Sequence, residues 1–172
     1  KAIDAGATIL QTSVSSSNTF ALVDFVRKYN RRNPDHKVIV FDGASHDPAI
    51  TGEKCSPYSF SWVLNAEAKT AGLAAYLKSR PDITKVFLLN AEGSSGQTTR
   101  AKVMEMVGAA RPDIEWVGDD THPLQKITDF APYIAKIRAS GAQAVITSDW
   151  GADLALVLKA AGEGQLKTEW FT

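Results

Sequence analysis

Short β-rich runs alternate with stretches of 3.6-residue apolar period along almost the whole chain, and this alternation restricts the fold more than any other feature. A strand, a helix and a further strand pack stably when helices cover the faces of a parallel sheet, so the predicted class is α/β. Candidate strands are 7–10, 37–41, 85–89, 114–117, 144–147 and 169–171, short apolar runs that suit strands buried on both faces. Between them, Val103, Met106, Val107 and Ala110 fall at i, i+3, i+4 and i+7, as do Leu154, Val157, Leu158 and Ala161. Phe130, Ile134 and Ile137 line a third stripe, with Thr128-Asp129 offering capping oxygens ahead of it. Helices are expected to stop at Arg80-Pro81, Arg111-Pro112, Ser140-Gly141 and Ala161-Gly162, where proline cannot continue a helix or glycine can turn out of it.

One interval breaks the alternation. Residues 42–57 hold two prolines and two glycines with little periodicity and read as a long surface loop. Tyr58, Phe60 and Trp62 follow at strand spacing, then a helix over about 67–79, and a lobe boundary is expected near 60–65. Residues 1–6 read as the tail of a helix ending at Gly6, and the chain stops at its last strand, so the sequence is read as a piece of a longer protein.

Composition narrows function by exclusion. The 172 residues are 44% hydrophobic and 22% charged, ordinary for a globular protein. Nineteen basic side chains balance nineteen acidic ones, which leaves no global field to concentrate nucleic acid, so no nucleic-acid partner is expected. No stretch approaches the roughly 20 apolar residues of a membrane helix, and the first residues lack the apolar run of a signal peptide. Cys55 is the single cysteine, and His36, His46 and His122 are scattered, so no metal site is expected. No GxSxG elbow, HExxH, P-loop or post-strand GxGxxG occurs, and no cofactor is expected. Asp119-Asp120, followed by His122-Pro123, reads as a solvated strand exit rather than a catalytic pair.

Five segments, SVSSSNT (13–19), DPAITGEKCSPYSF (47–60), KVFLLN (85–90), TDFAPYIAKIRASGA (128–142) and AVITSDWGADL (144–154), together resemble the periplasmic binding proteins for branched-chain amino acids and related solutes. They recur in that family's order and at compatible spacings. The resemblance implies a type I fold: two Rossmann-like α/β lobes with parallel sheets flanked by helices, closing on a solute in an interlobe cleft. Residues 1–61 would form part of an incomplete N-terminal lobe and 62–172 most of the C-terminal lobe. It also implies a small-molecule solute, an amino acid or related carboxylate, a membrane permease of an ABC transporter as partner, and a periplasmic or lipid-anchored extracellular location.

Strand carboxyl ends frame the crevice of an open α/β sheet, and helix N-termini there present free N–H groups. The family's carboxylate-binding loop carries over onto Ser15 and Ser16; a serine-rich turn that caps its own helix is the plainer reading of the same residues. The family's contact by a backbone carbonyl and a hydroxyl carries over onto Ala44 and Ser45. His46 stands beside them where the family often has a hydroxyl residue, and it reads equally as a solvated loop histidine. Across the cleft, Gly93, Ser94 and Ser95 replace an aromatic residue that family members often carry, with Ser95 taken as a contact. Trp150 matches the family's opposite wall, against the alternative of surface packing, and Asp149 beside it is placed to pair with an ammonium. An acidic contact usual in the family would lie beyond Thr172. Cys55 matches a cysteine that some relatives pair in a disulfide, or is a free thiol. Three readings stay open: a non-enzymatic transport receptor, a ligand-sensing ectodomain or amide-responsive regulator of the same fold, and a Rossmann-like enzyme.

Overall fold

The computed structural model describes residues 1–13 and 15–172; Val14, inside the serine-rich segment, lies outside the described residues. Two compact units make up the chain, Lys1–Ala68 and Lys69–Thr172, each an α/β layer structure built on a parallel sheet.

The first unit holds β1 (Ile9–Thr12), α1 (Ser16–Arg32), β2 (Ile39–Asp42) and β3 (Ser59–Ser61), with the strands in the order β1-β2-β3 and all parallel. Its core is Val26 of α1 against Val38 and Val40, with Leu10, Leu22 and Tyr29 packed around them. Asn30 docks α1 onto the sheet by imitating a strand: its amide donates to the Val38 carbonyl at 2.8 Å and accepts from Val38 N at 2.9 Å. The second unit begins in the first turn of α2 (Ala66–Lys78) and continues with β4 (Lys85–Ala91), α3 (Ser94–Ala110), β5 (Glu115–His122), α4 (Ala131–Ser140), β6 (Ala144–Ile146), α5 (Gly151–Glu163) and β7 (Glu169–Phe171). Its strand order is β5-β4-β6-β7, all parallel.

Alternation along β4 and β6 splits the second core into two layers. Val86, Leu88, Ala144 and Ile146 meet Leu77 of α2 and Val103 and Val107 of α3. Phe87, Leu89 and Val145 meet Ile134 and Ile137 of α4 and Val157 and Ala161 of α5. Each fully buried aliphatic side chain stabilises by roughly 1.5–3 kcal/mol, which is why a sheet of such short strands persists once both faces are covered. Arg111 satisfies carbonyls at and just beyond the end of α2, donating to those of Leu77, Arg80 and Ile83 while pairing with Asp113. Among the described residues no helix is long and apolar enough to cross a membrane.

Several expectations need correction. The first two strands lie slightly later than expected, because the residues after Gly6 and Lys37 are connecting backbone before pairing begins at Ile9 with Ile39. Residues 3–5 form a single 3₁₀ turn, closed by Gly6 at φ 90°. The stretch 42–57 is not wholly surface: a 3₁₀ turn at Pro48–Ile50, started by Asp47 accepting from Ala49 N, buries Ile50, and Ser45 and Ser56 are also buried. Asp119 and Asp120 are solvated to the extent expected, Asp119 being exposed, but they are not a strand exit: with His122 they continue β5 to its end, and His122 has no exposed surface.

Candidate functional site

Since every strand pair is parallel, all carboxyl ends within a unit emerge at one edge. In the first unit β1 leads to Ser15 and Ser16, and β2 leads to Gly43, Ala44, Ser45 and His46. Ser15 is the N-cap of α1; its backbone is extended and its hydroxyl accepts from Asn18 N at 3.3 Å. Ser16 reaches across to the other loop, accepting from His46 N at 3.1 Å and Asp47 N at 3.2 Å. Ala44 takes part through its backbone, with its N–H donating to Asp42 Oδ1. Ser45 is buried, its hydroxyl 2.8 Å from Asp42 Oδ1 and 2.7 Å from Thr19 Oγ1. The His46 carbonyl accepts from Ala66 N. The structure therefore brings Ser15, Ser16, Ala44, Ser45 and His46 to one edge, organised around Asp42 and Thr19, which the sequence reading did not single out. Gly43 sits where an added Cβ would come 3.1 Å from both the Ser13 hydroxyl and the Trp62 ring, so the two loops and the end of β3 approach closely there.

In the second unit the strand order reverses at β4, whose two neighbours are reached by crossovers in opposite directions. Such a switch point opens a crevice at the carboxyl ends, here between β4 and β6. Asn90 at the end of β4 spans it, accepting from Ser148 N at 2.9 Å. Asp149 is buried, with both carboxylate oxygens 2.9 Å from His122 Nε2 and its own N–H donating to Thr147 Oγ1 at 3.0 Å. Burial pushes the Asp149 carboxyl above the ordinary aspartate range, while the hydrogen bond and charge of His122 pull it the other way. Asp149 is thus engaged by His122 within its own unit. Trp150 follows as the N-cap of α5, extended, without a side-chain cap, and 50% exposed. Ser95 is exposed in the first turn of α3, just past Gly93, whose φ of 112° favours glycine.

Reasoning from sequence missed His122, Asn90 and Asp153. His122 lies edge-on to Phe130, ring centroids 5.0 Å apart, and to Tyr133 at 6.0 Å. Asp153, also buried, accepts from Gln125 N at 2.8 Å and so ties α5 to the turn after β5. No local pattern announces contacts between residues 27 or 28 positions apart. Among the described residues no cluster of three histidine, cysteine or acidic side chains could hold a metal ion, and Cys55 is an exposed free thiol.

The periplasmic binding protein family model matches residues 1–172. Curated relatives called Leu/Ile/Val-binding protein homolog 4, from Brucella abortus and Brucella suis, are 32% identical over 172 residues, covering 99% of this chain. The chain spans only 41% of their length. Among solved structures, the leucine-, isoleucine-, valine-, threonine- and alanine-binding protein of Brucella ovis, in a closed conformation, matches with a TM-score of 0.80 and 33% identity over 98% of this chain and 43% of its own. A solute-binding protein of an ABC transporter from R. palustris, solved with benzoate, matches with a TM-score of 0.83 at 15% identity, over 98% of this chain and 44% of its own, a likeness of fold alone. Matched along its whole length by the family model, the chain belongs to the periplasmic binding protein family.

Proposed function

We propose that this chain supplies solute-contacting surface to a non-enzymatic receptor of the periplasm or outer face, which captures an amino acid or related small carboxylate for a membrane permease of an ABC transporter. Residues 1–61 contribute to the N-terminal lobe of that receptor and 62–172 to most of its C-terminal lobe. The observation that carries the reading is Trp150: a half-exposed indole at the carboxyl edge of a parallel sheet, beside the switch point where open α/β sheets bind ligands. Family membership and the names of the Brucella relatives support a solute of the aliphatic amino-acid class. In the first unit the buried Ser45 hydroxyl and the loop held by Ser16 supply polar groups at the equivalent edge. In the second unit, Ser95 is open to a ligand, and the buried Asp149, engaged with His122, directly precedes Trp150 in the chain. Capture by differential affinity requires no chemistry: a solute that stabilises the closed form shifts the population toward it.

The test is a thermal-shift screen of the full-length protein against aliphatic amino acids, other amino acids, amides and benzoates. A ligand present at 100 times its Kd stabilises the native form by about 2.7 kcal/mol. One class of small carboxylate is expected to raise the melting temperature, and Trp150→Ala to reduce that rise. No shift from any of these solutes would overturn the reading.

A further inference from the structure

The turn that carries Trp150 is held by side chains of two other elements, and the helix that follows it is anchored by a third contact. Asn90 of β4 accepts from Ser148 N, His122 of β5 meets both oxygens of Asp149, and Asp153 of α5 accepts from Gln125 N in the turn after β5. The turn needs such support. Trp150 has no side-chain cap, and Gly151 behind it sits at φ 58°, in the left-handed region, with no Cβ to limit rotation there. Of these contacts, the His122–Asp149 pair lies next to the indole in sequence and is fully enclosed, with neither side chain exposed.

We propose that His122 is a positioning residue for solute capture, acting through Asp149 to fix the pose in which Trp150 meets the solute. This rests on the reading of Trp150 as a solute contact given above. The geometry fits a positioning role. A ring nitrogen equidistant from two carboxylate oxygens fixes both the position and the rotation of the carboxyl, and Phe130 and Tyr133 lock the imidazole from its edges. His122 itself has no surface to offer a ligand. The restraint passes along the backbone from Asp149, whose N–H is pinned to Thr147 Oγ1, to the next residue, Trp150. Releasing Asp149 frees the following residue to pivot on Gly151, and the solute then has to restore the order that the pair supplies in advance.

The experiment uses the full-length protein with L-leucine as probe, titrated calorimetrically, and 5-fluorotryptophan labelling read by ¹⁹F NMR, the Trp150 resonance being assigned from Trp150→Phe. His122→Leu keeps bulk and removes the ring nitrogens, whereas His122→Gln retains an N–H donor of similar reach. His122→Leu is expected to move the Trp150 resonance and weaken leucine binding by about tenfold, the equivalent of one lost hydrogen bond to a charged group. His122→Gln is expected to restore both to within about threefold of the parent, a difference of well under 1 kcal/mol. Should His122→Leu fail to fold, Asp149→Ala is read in its place with the same expectation. Unchanged affinity and an unmoved resonance in a folded variant would overturn the proposal, as would loss of the fold in both variants, which makes the pair a core support only. If Trp150→Ala itself leaves leucine affinity unchanged, the functional reading fails instead; if it weakens binding while His122→Leu does not, the positioning role alone fails.

Discussion

At the carboxyl end of β2 a single oxygen of Asp42 accepts from Ala44 N, Ser45 N, the Ser45 hydroxyl and Thr19 Oγ1, all of them donors from a turn or helix that has no ladder to satisfy it. Asp42→Ala leaves the Ala44 and Ser45 N–H groups without that acceptor, while the Thr19 hydroxyl keeps Ser15 O and the Ser45 hydroxyl keeps Thr19 Oγ1, so a loss of about 3 kcal/mol is expected in urea unfolding of the full-length protein, larger than that for Ser45→Ala. Asp42 was legible in principle, because an aspartate ahead of Gly-Ala-Ser is an Asx-turn signature read from four consecutive residues. Asp149 was not, since its partner sits 27 residues earlier and only the β5-β4-β6 order makes them neighbours. Asp149 also carries a pH signature. Burial raises its folded carboxyl above the ordinary aspartate value of 3.8, so the fold favours the protonated form. That contribution is fully present below the unfolded value and is lost as pH rises through the raised folded value. Asp149→Asn cannot titrate; the stability of the parent relative to this variant should therefore fall with rising pH across that window. A flat difference between the two urea-midpoint profiles would contradict the buried, raised carboxyl.

Elements in the chain interior were the most legible, because Val86–Leu89 of β4 and all of β6 are apolar without polar interruption and α3 to α5 carry clean stripes. β5 misled because of where it lies. As the edge of its sheet it tolerates charge in mid-strand, and alternation sends Asp119 to Arg100 of α3 and Asp120 to Lys136 of α4, one on each face. Polar residues inside a strand therefore looked like its end. The same strand contains a bulge, the register slipping between Val86 and Phe87 so that Phe87 pairs with Gly118. A Cβ at Gly118 would lie 2.1 Å from the Phe87 ring, which is itself buried against the α4 and α5 layer and has nowhere to go. Gly118→Ala is expected to cost about 1–3 kcal/mol through overpacking, measured as a lowered melting temperature. Phe87→Leu in the same background should recover part of it, since the smaller side chain vacates the site. If Gly118→Ala melts like the parent, the close approach of ring to strand is wrong.

Coverage of the sheets distinguishes the two units on the scale of the whole molecule. The second unit has helices on both faces, α2 and α3 on one and α4 and α5 on the other, which is what a parallel sheet requires. In the first unit Leu10 and Val40 pack toward α1, but alternation turns Ile9, Phe41 and Phe60 to the opposite face. There Ile9 is 57%, Phe60 50% and Trp62 58% exposed, and the Phe41 ring meets Phe60 at 5.8 Å and Trp62 at 5.4 Å between centroids, both tilted. An apolar sheet face of this kind, in a chain that spans 41% of the relatives it matches, marks surface that further chain would cover. The 172 residues produced alone should accordingly bind the apolar dye ANS and self-associate, whereas Lys69–Thr172 produced alone should bind little dye and melt cooperatively. Phe60→Ser with Trp62→Ser should suppress dye binding and association of the 172-residue chain while leaving the melting of the second unit unmoved, because the two side chains lie in and just after β3, whose sheet shares no strand with it. Persistent association in that double variant would place the sticky surface elsewhere, and the arrangement of β1, β2 and β3 with a single covering helix would need another explanation.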